Sequence, residues 1–211
     1  MKKGLFITFE GVDGCGKSTQ MRFLAEHLQN KGYECVLTRE PGGCKIAEEI
    51  RAILLDPENK GMNSKAEVLL FAAARIQHID EVILPALREG KIVLCDRYLD
   101  SNFAYQGYGR ELGEAYVLQA NEYALTHAMP DATLFFAYPP ENAFARMNEA
   151  KEMDRLEQEN AAFFKRVYEG FVKVAEENKE RIISIDPSGN KFETQEKVQY
   201  EIMKLFQRKG F

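Results

Sequence analysis

Short apolar runs alternate with longer stretches of helical spacing along this chain of 211 residues. Five runs read as strands: Leu5–Phe9, Glu34–Thr38, Lys91–Cys95, Ala132–Ala137 and Arg181–Ile185. Their centres are apolar at consecutive rather than alternate positions, which is the pattern of a parallel sheet covered on both faces. Between them Met21, Leu24, Ala25 and Leu28 keep helical spacing, and so do Ile46, Ile50, Ile53 and Leu54. Val68 to Leu87 reads as one long helix, apolar nearly all round and therefore expected to be covered on both sides. Phe163 to Ala175 and Val198 to Phe206 supply the later helices. Strand and helix alternating in this way predict a doubly wound α/β fold with a five-stranded parallel sheet, in one domain over 1–211. Ligands of such sheets bind beyond the carboxyl ends of the strands.

Composition narrows the class without naming it. A content of 45% hydrophobic and 29% charged residues suits a globular chain rather than a disordered one. Twenty-eight Lys and Arg against 33 Asp and Glu leave a net charge of −5, which is not the footprint of a general nucleic-acid binder. The longest near-continuous apolar stretch, Ala132 to Tyr138, is far below the roughly 20 residues that span a bilayer. The segment after Met1-Lys2-Lys3 has no signal-peptide core. Cys15, Cys35, Cys44 and Cys95 lack metal-site or disulfide spacing, so reduced thiols in a cytoplasm are expected.

The densest chemical signal follows the first strand. Gly11-Val12-Asp13-Gly14-Cys15-Gly16-Lys17-Ser18 has the spacing G-x-x-x-x-G-K-[ST], with Thr19 next. Glycines let successive backbone N–H groups point inward around phosphate oxygens, and the helix that begins near Lys17 adds its positive end. Lys17 offers a cation to the β- and γ-phosphates, and Ser18 offers a hydroxyl to Mg²⁺. Cys15 would be reactive if the helix end lowered its pKa.

Other segments gather at the same sheet edge. Asp96-Arg97-Tyr98 ends the third strand, where a carboxylate serves Mg²⁺ and an arginine forks onto phosphate; a plain strand-end ion pair is the alternative. Thr38-Arg39-Glu40-Pro41-Gly42-Gly43 ends the second strand with another arginine in a Gly-rich loop. Phe71 and Arg75, four apart, share one face of the long helix. A charge among Val68, Ala72, Ile79 and Val82 is costly to bury alone. A ring beside a planar donor fork suits a nucleobase, whereas an arginine reaching solvent or a distant carboxylate is the alternative. His27, His78 and His127 are expected at the surface or in helices without a role.

Taken together, Phe9-Glu-Gly-Val-Asp-Gly-Cys-Gly-Lys-Ser-Thr19, Thr38-Arg-Glu-Pro-Gly-Gly43, Phe71-Ala-Ala-Ala-Arg75 and Asp96-Arg-Tyr-Leu-Asp-Ser-Asn-Phe-Ala-Tyr-Gln-Gly107 resemble the bacterial thymidylate kinases. Asp154-Arg-Leu-Glu-Gln-Glu159 and Phe163-Phe-Lys-Arg-Val-Tyr168 extend the resemblance, which runs from residue 5 to about 175. It implies transfer of the γ-phosphoryl group of MgATP to dTMP in a homodimer. Residues Gly11 to Thr19 would bind ATP, with Lys17 catalytic and Ser18, Asp13 and Asp96 serving the metal. The resemblance implies that Arg39 and Arg97 grip the acceptor phosphate and that Asp13 holds the 3′-hydroxyl. It places Phe71 on thymine, Arg75 on a base carbonyl and Ser101, Asn102 or Gln106 at the base edge. Tyr105 would lie under the sugar, where a 2′-hydroxyl would not fit.

The phosphate loop carries Asp13-Gly14-Cys15 where some family members place an arginine. A cation is then expected from a lid near 141–157, with Lys151 and Arg155 as candidates four residues apart. A solvated helix pairing with Glu152 and Glu159 is the alternative. Further departures are Cys44-Lys45 in place of Thr-Pro, Ala74 in place of an Asp, and Ala137 where an acid commonly ends the fourth strand. Two other functions fit a phosphate loop: a deoxynucleoside kinase using Glu10 or Asp13 as base, and a nucleotide-binding module without turnover.

Overall fold

The computed structural model describes residues 4–146 and 153–211. Strands β1 (Leu5–Glu10), β2 (Cys35–Arg39), β3 (Ile92–Asp96), β4 (Ala132–Phe136) and β5 (Ile182–Ile185) form one parallel sheet in the order β2-β3-β1-β4-β5. Each strand end falls within one residue of the expected run. The helices are α1 (Lys17–Asn30), α2 (Lys45–Leu55), α3 (Ser64–His78), α4 (Leu84–Arg88), α5 (Leu99–Asn102), α6 (Glu114–Ala120), α7 (Glu122–His127), α8 (Pro140–Phe144), α9 (Ala161–Glu177) and α10 (Lys191–Lys209).

Side chains of a strand alternate between faces, and the two faces here bury different partners. Leu5, Ile7 and Phe9 of β1 and Ile92 and Leu94 of β3 pack against Leu24 and Leu28 of α1, Phe171 of α9 and Ile202 and Phe206 of α10. Phe6, Val93 and Cys95 turn the other way, onto Ile79, Ile83, Leu99 and Ala124. Each large apolar side chain buried in this way contributes about 1.5–3 kcal/mol relative to exposure. Coverage on both faces holds for β1, β3 and β4 but not for the edge strands: β2 leaves Leu37 and Arg39 exposed, and β5 leaves Ser184 exposed.

The expected helix from Val68 to Leu87 is real but interrupted. Asn63 caps its start by accepting from the Lys65 N–H (2.9 Å). A π-type turn, Ile79–Ile83, then joins α3 to α4. Only one side of α3 is covered: Val68, Phe71, Ala72, Arg75 and His78 are buried, whereas Leu69 and Ile76 are 52% and 39% exposed. The connection from β3 to β4 is mostly helical, through α5, a second π-type turn (Phe103–Gly109), α6 and α7, with short non-helical links at 110–113 and 128–131. No apolar period announced it.

Register places the site. Asp96 at the end of β3 lies opposite Phe9 of β1 on one side and Arg39 of β2 on the other. Backbone bonds extend the sheet one step further, from the Glu40 N–H to the Asp96 carbonyl (3.0 Å) and from the Arg97 N–H to the Phe9 carbonyl (2.9 Å). The phosphate loop, the Arg39 loop and the Asp96–Arg97 turn therefore leave the sheet side by side.

Candidate active site

A cavity of about 520 Å³ opens at this carboxyl edge. Along one wall the loop after β1 presents Asp13, Gly14, Gly16, Lys17, Ser18 and Thr19, whereas Val12 and Cys15 turn into the core. Gly11 (φ 137°) admits no side chain, because a Cβ there would meet the Phe136 carbonyl oxygen at 2.9 Å. Gly16, in the left-handed region at φ 99°, turns the chain into α1. The Lys17 ammonium lies across its own loop, donating to the Val12 carbonyl (2.8 Å) with the Asp13 carboxylate at 3.9 Å. Burial pushes the Cys15 thiol above its ordinary pKa despite Lys17 beside it, so the structure does not give it the activated character the loop suggested.

Facing this wall are three arginines. Arg97 adopts φ 67°, a conformation non-glycine residues seldom take, and donates to the Asp13 carboxylate (2.7 Å), the Gly11 carbonyl (2.8 Å) and the Ser101 hydroxyl (3.2 Å). Its guanidinium lies 5.2 Å from the centre of the Tyr105 ring. Arg39 is steered by Glu48 (2.9 Å). Arg51 was not singled out in the sequence, yet it lines the cavity and donates to the Pro41 carbonyl (2.8 Å). It follows Ala47 by four and precedes Leu54 by three on the buried stripe of α2, the same signal that marked Arg75.

Behind the arginines, Phe71 and Arg75 line the far wall with Ser101, Asn102, Tyr105 and Gln106. Arg75 is buried, and of the two readings the geometry shows the ion-paired one directly. It does reach a distant carboxylate, Glu40 (Nε to Oε2, 2.7 Å). Its Nη1 donates to Asn102 and Asn121 (2.5 Å each) and its Nη2 to the Tyr98 carbonyl (3.2 Å). Of five guanidinium N–H groups, four are thereby used among the described residues, and the residue lines the cavity. Glu40 also binds the His78 imidazole (2.9 Å), whose far nitrogen meets the Thr38 hydroxyl (2.7 Å). His78 is thus fully buried in the support of Arg75 rather than a helix residue without a role.

Arg155 departs furthest from expectation. It is buried, with Nη1 ion-paired to Glu67 (2.6 Å) and Nε donating to the Leu54 carbonyl (2.7 Å), while Nη2 has no hydrogen-bond partner among the described residues. A guanidinium committed to these partners is an anchor and not a mobile cation over the phosphates, and Glu159, expected beside it, pairs with Arg110 instead (2.5 Å). Lys151, the other lid candidate, lies outside the described residues. Asp154, Leu156 and Glu157 line the cavity. Glu10 does not: it is fully buried, accepting from the Tyr98 N–H (2.7 Å), the Ser101 N–H (3.2 Å) and the Ser101 hydroxyl (2.5 Å), so it has no access to a substrate hydroxyl.

Ser18 and Asp96 meet at the junction of loop and β3, with the hydroxyl donating to the carboxylate at 2.5 Å. Two hard oxygen donors beside a phosphate nest suit Mg²⁺, which takes its remaining ligands from phosphate and water. Among the described residues no three His, Cys, Asp or Glu side chains cluster as a protein-only metal site. A parallel α/β sheet, a phosphate loop at its first turn and an adjoining arginine-lined cavity with a ring and donor fork define a P-loop nucleotide kinase.

Comparison makes this particular. The thymidylate kinase family model matches residues 9–198. A thymidylate kinase of Geobacillus sp. (strain WCH70) is 47% identical over 188 residues, covering 88% of this chain and 90% of that protein. One from Lactobacillus helveticus (strain DPC 4571) is 49% identical over 187 residues, covering 87% and 88%. The solved thymidylate kinase of Ehrlichia chaffeensis superposes with a TM-score of 0.76 at 34% identity, covering 95% of this chain and 99% of its own. The chain belongs to the thymidylate kinase family.

Proposed function

We propose that the cavity holds dTMP end-on to the phosphates of ATP, and that the residues around it carry out the family reaction. As a family member, the enzyme phosphorylates dTMP to dTDP, with ATP as the phosphoryl donor. The observation that carries the site assignment is the convergence of the Lys17 loop, Arg39, Arg97, Phe71 and Arg75 on one cavity. Gly11 to Thr19 receive the ATP phosphates, and Lys17 swings from the Val12 carbonyl onto the β- and γ-phosphates. Arg39, Arg97 and Arg51 hold the acceptor phosphate. Asp13 takes the 3′-hydroxyl, Tyr105 packs under the deoxyribose, and Phe71 stacks on thymine. The remaining N–H of Arg75 meets a base carbonyl, with Ser101, Asn102 and Gln106 at the edge.

The attacking oxygen of dTMP is an ionised phosphate oxygen, so no protein base is required. The protein's work is alignment and neutralisation of spread negative charge. Ser18 and Asp96, with Asp13 nearby, would hold Mg²⁺, which when bound neutralises the phosphate oxygens through which transfer runs. A lid within 141–157 completes a single kinase domain. We place the enzyme in the cytoplasm as a homodimer; all four cysteines are unbridged, no described helix is long and apolar enough to cross a membrane, and α3 leaves an apolar face open.

ADP release measured with dTMP, dUMP, dCMP, dGMP, AMP and thymidine tests this reading. Fast turnover of dTMP with dUMP a weak second is expected. Preference for any other acceptor would remove the base-reading role of Phe71 and Arg75.

A further inference from the structure

The amides of Asn102 and Gln106 each have a donor end and an acceptor end, and a base edge meets different chemistry if either is reversed. In this structure the order is dictated from both ends. Arg75 is donor-only, so the Asn102 oxygen must face it (2.5 Å). The Asn102 nitrogen then donates to the Gln106 oxygen (2.8 Å), and the Gln106 nitrogen donates to Glu67 Oε1 (2.8 Å). An ionised carboxylate only accepts, so Glu67 closes the chain with the matching polarity.

Glu67, on the first turn of α3, is 0% exposed. Burial opposes its ionisation, but Arg110, Gln106 and Arg155 outweigh this and hold its pKa below the ordinary value. The same carboxylate receives Arg110 (3.1 Å) and Arg155 (2.6 Å). Arg155 is further fixed by the bond from its backbone N–H to the Leu55 carbonyl (3.1 Å), and its neighbours Asp154 and Leu156 line the cavity. One carboxylate thus touches both the amide order at the base edge and the segment over the cavity.

We propose that Glu67 is a positioning residue for the acceptor nucleotide, orienting the Gln106–Asn102–Arg75 relay and docking the Arg155 segment over the same cavity. The proposal rests on the placement of thymine against Arg75. It explains why an acid is buried on α3 facing Arg110 and Arg155, which do not line the cavity. A glutamine there could donate as well as accept, and the relay would lose its direction.

Steady-state kinetics with dTMP and ATP varied separately test it, using Glu67→Gln, Arg155→Met, Arg155→Lys, the double variant and Arg75→Lys. Glu67→Gln and Arg155→Met are each expected to raise the KM for dTMP about tenfold, as for loss of a charge-assisted bond. The KM for ATP stays within about twofold, because uniform disruption would move both. The double variant is expected to be no worse than the poorer single one, since the two share one interaction. Arg155→Lys, which keeps the charge but not the fork, restores part of the loss. An unchanged KM for dTMP in Arg155→Met, beside a raised one in Arg75→Lys, overturns the role of Glu67 alone. Parallel rises for dTMP and ATP overturn it too, as evidence of a general structural defect. An unchanged KM for dTMP in Arg75→Lys overturns the thymine placement itself. If Glu67→Gln does not accumulate as folded protein, Arg155→Met and Arg155→Lys decide the question.

Discussion

Lys17 shows how little of a phosphate loop is decoration. Its ammonium is tethered to the Val12 carbonyl within its own loop, beside the cavity that the loop lines. Lys17→Ala should lower kcat by about 10²–10³-fold while the KM for dTMP changes little, because the lost contact strengthens only as charge develops on the transferring group. Unchanged turnover would remove the loop from the reaction. Arg75 makes the opposite point, since it is held by Glu40, Asn102, Asn121 and the Tyr98 carbonyl. Truncation to Ala would leave Glu40 buried without its cation and cost about 3–5 kcal/mol of stability. A calorimetric melt should show that loss, and a melt like the wild type's would mean that the buried pair is not as drawn.

At the scale of elements, Glu10 ties the end of β1 to the start of α5 through the Tyr98 and Ser101 N–H groups. Burial, and then the nearby Asp100 charge, raise its pKa from 4.5 to about 8. The folded state therefore keeps a proton that the unfolded chain has lost between those values. This contribution is complete below pH 4.5 and is lost as the pH rises through 8. Unfolding by urea should show stability of the wild type falling across that interval, relative to Glu10→Gln, by an amount on the order of a few kcal/mol. Equal slopes for the two proteins would mean that Glu10 is ionised in the fold.

The elements differ in how legible they were, for physical reasons. β1, β3 and β4 are buried on both faces and leave consecutive apolar letters, so their ends could be read closely. α5 to α7 could not, because the π-type turn at Phe103–Gly109 breaks the 3.6 period and its Gly and Tyr residues resemble a loop. In the site, Arg75 stood out as a charge on an apolar stripe, and Arg51 carried the same mark unnoticed. Glu40 and His78 are found only in three dimensions, since Glu40 joins Arg75 across 35 residues and His78 across 38. Arg155 was drawn toward a lid by its spacing from Lys151, although its true partner, Glu67, lies far back in the chain and gives no local pattern.

For the whole molecule, the apolar face of α3 is the feature a single chain leaves unfinished. Leu69 and Ile76 are seven apart and share it, and Ile46 and Ile53 repeat the spacing on α2, which packs beside α3. Exposed apolar side chains on two packed helices suit the proposed dimer interface. Sedimentation equilibrium at micromolar concentration should give twice the chain mass for the wild type and the single mass for Leu69→Glu/Ile76→Glu. A monomeric wild type would leave the face without the partner assigned to it.

The same fold also brings loops from β1, β2 and β3 to one edge, around the single cavity proposed to join phosphate chemistry to base recognition. That joint site is the centre of the account, and Arg75→Lys tests it most directly. The substitution retains a cation for Glu40 but loses the planar fork proposed to serve the base. With both substrates varied, the KM for dTMP should rise about 10- to 100-fold while the KM for ATP stays within about twofold. A raised KM for ATP with that for dTMP unchanged would place Arg75 on the donor side and contradict the assignment of the cavity.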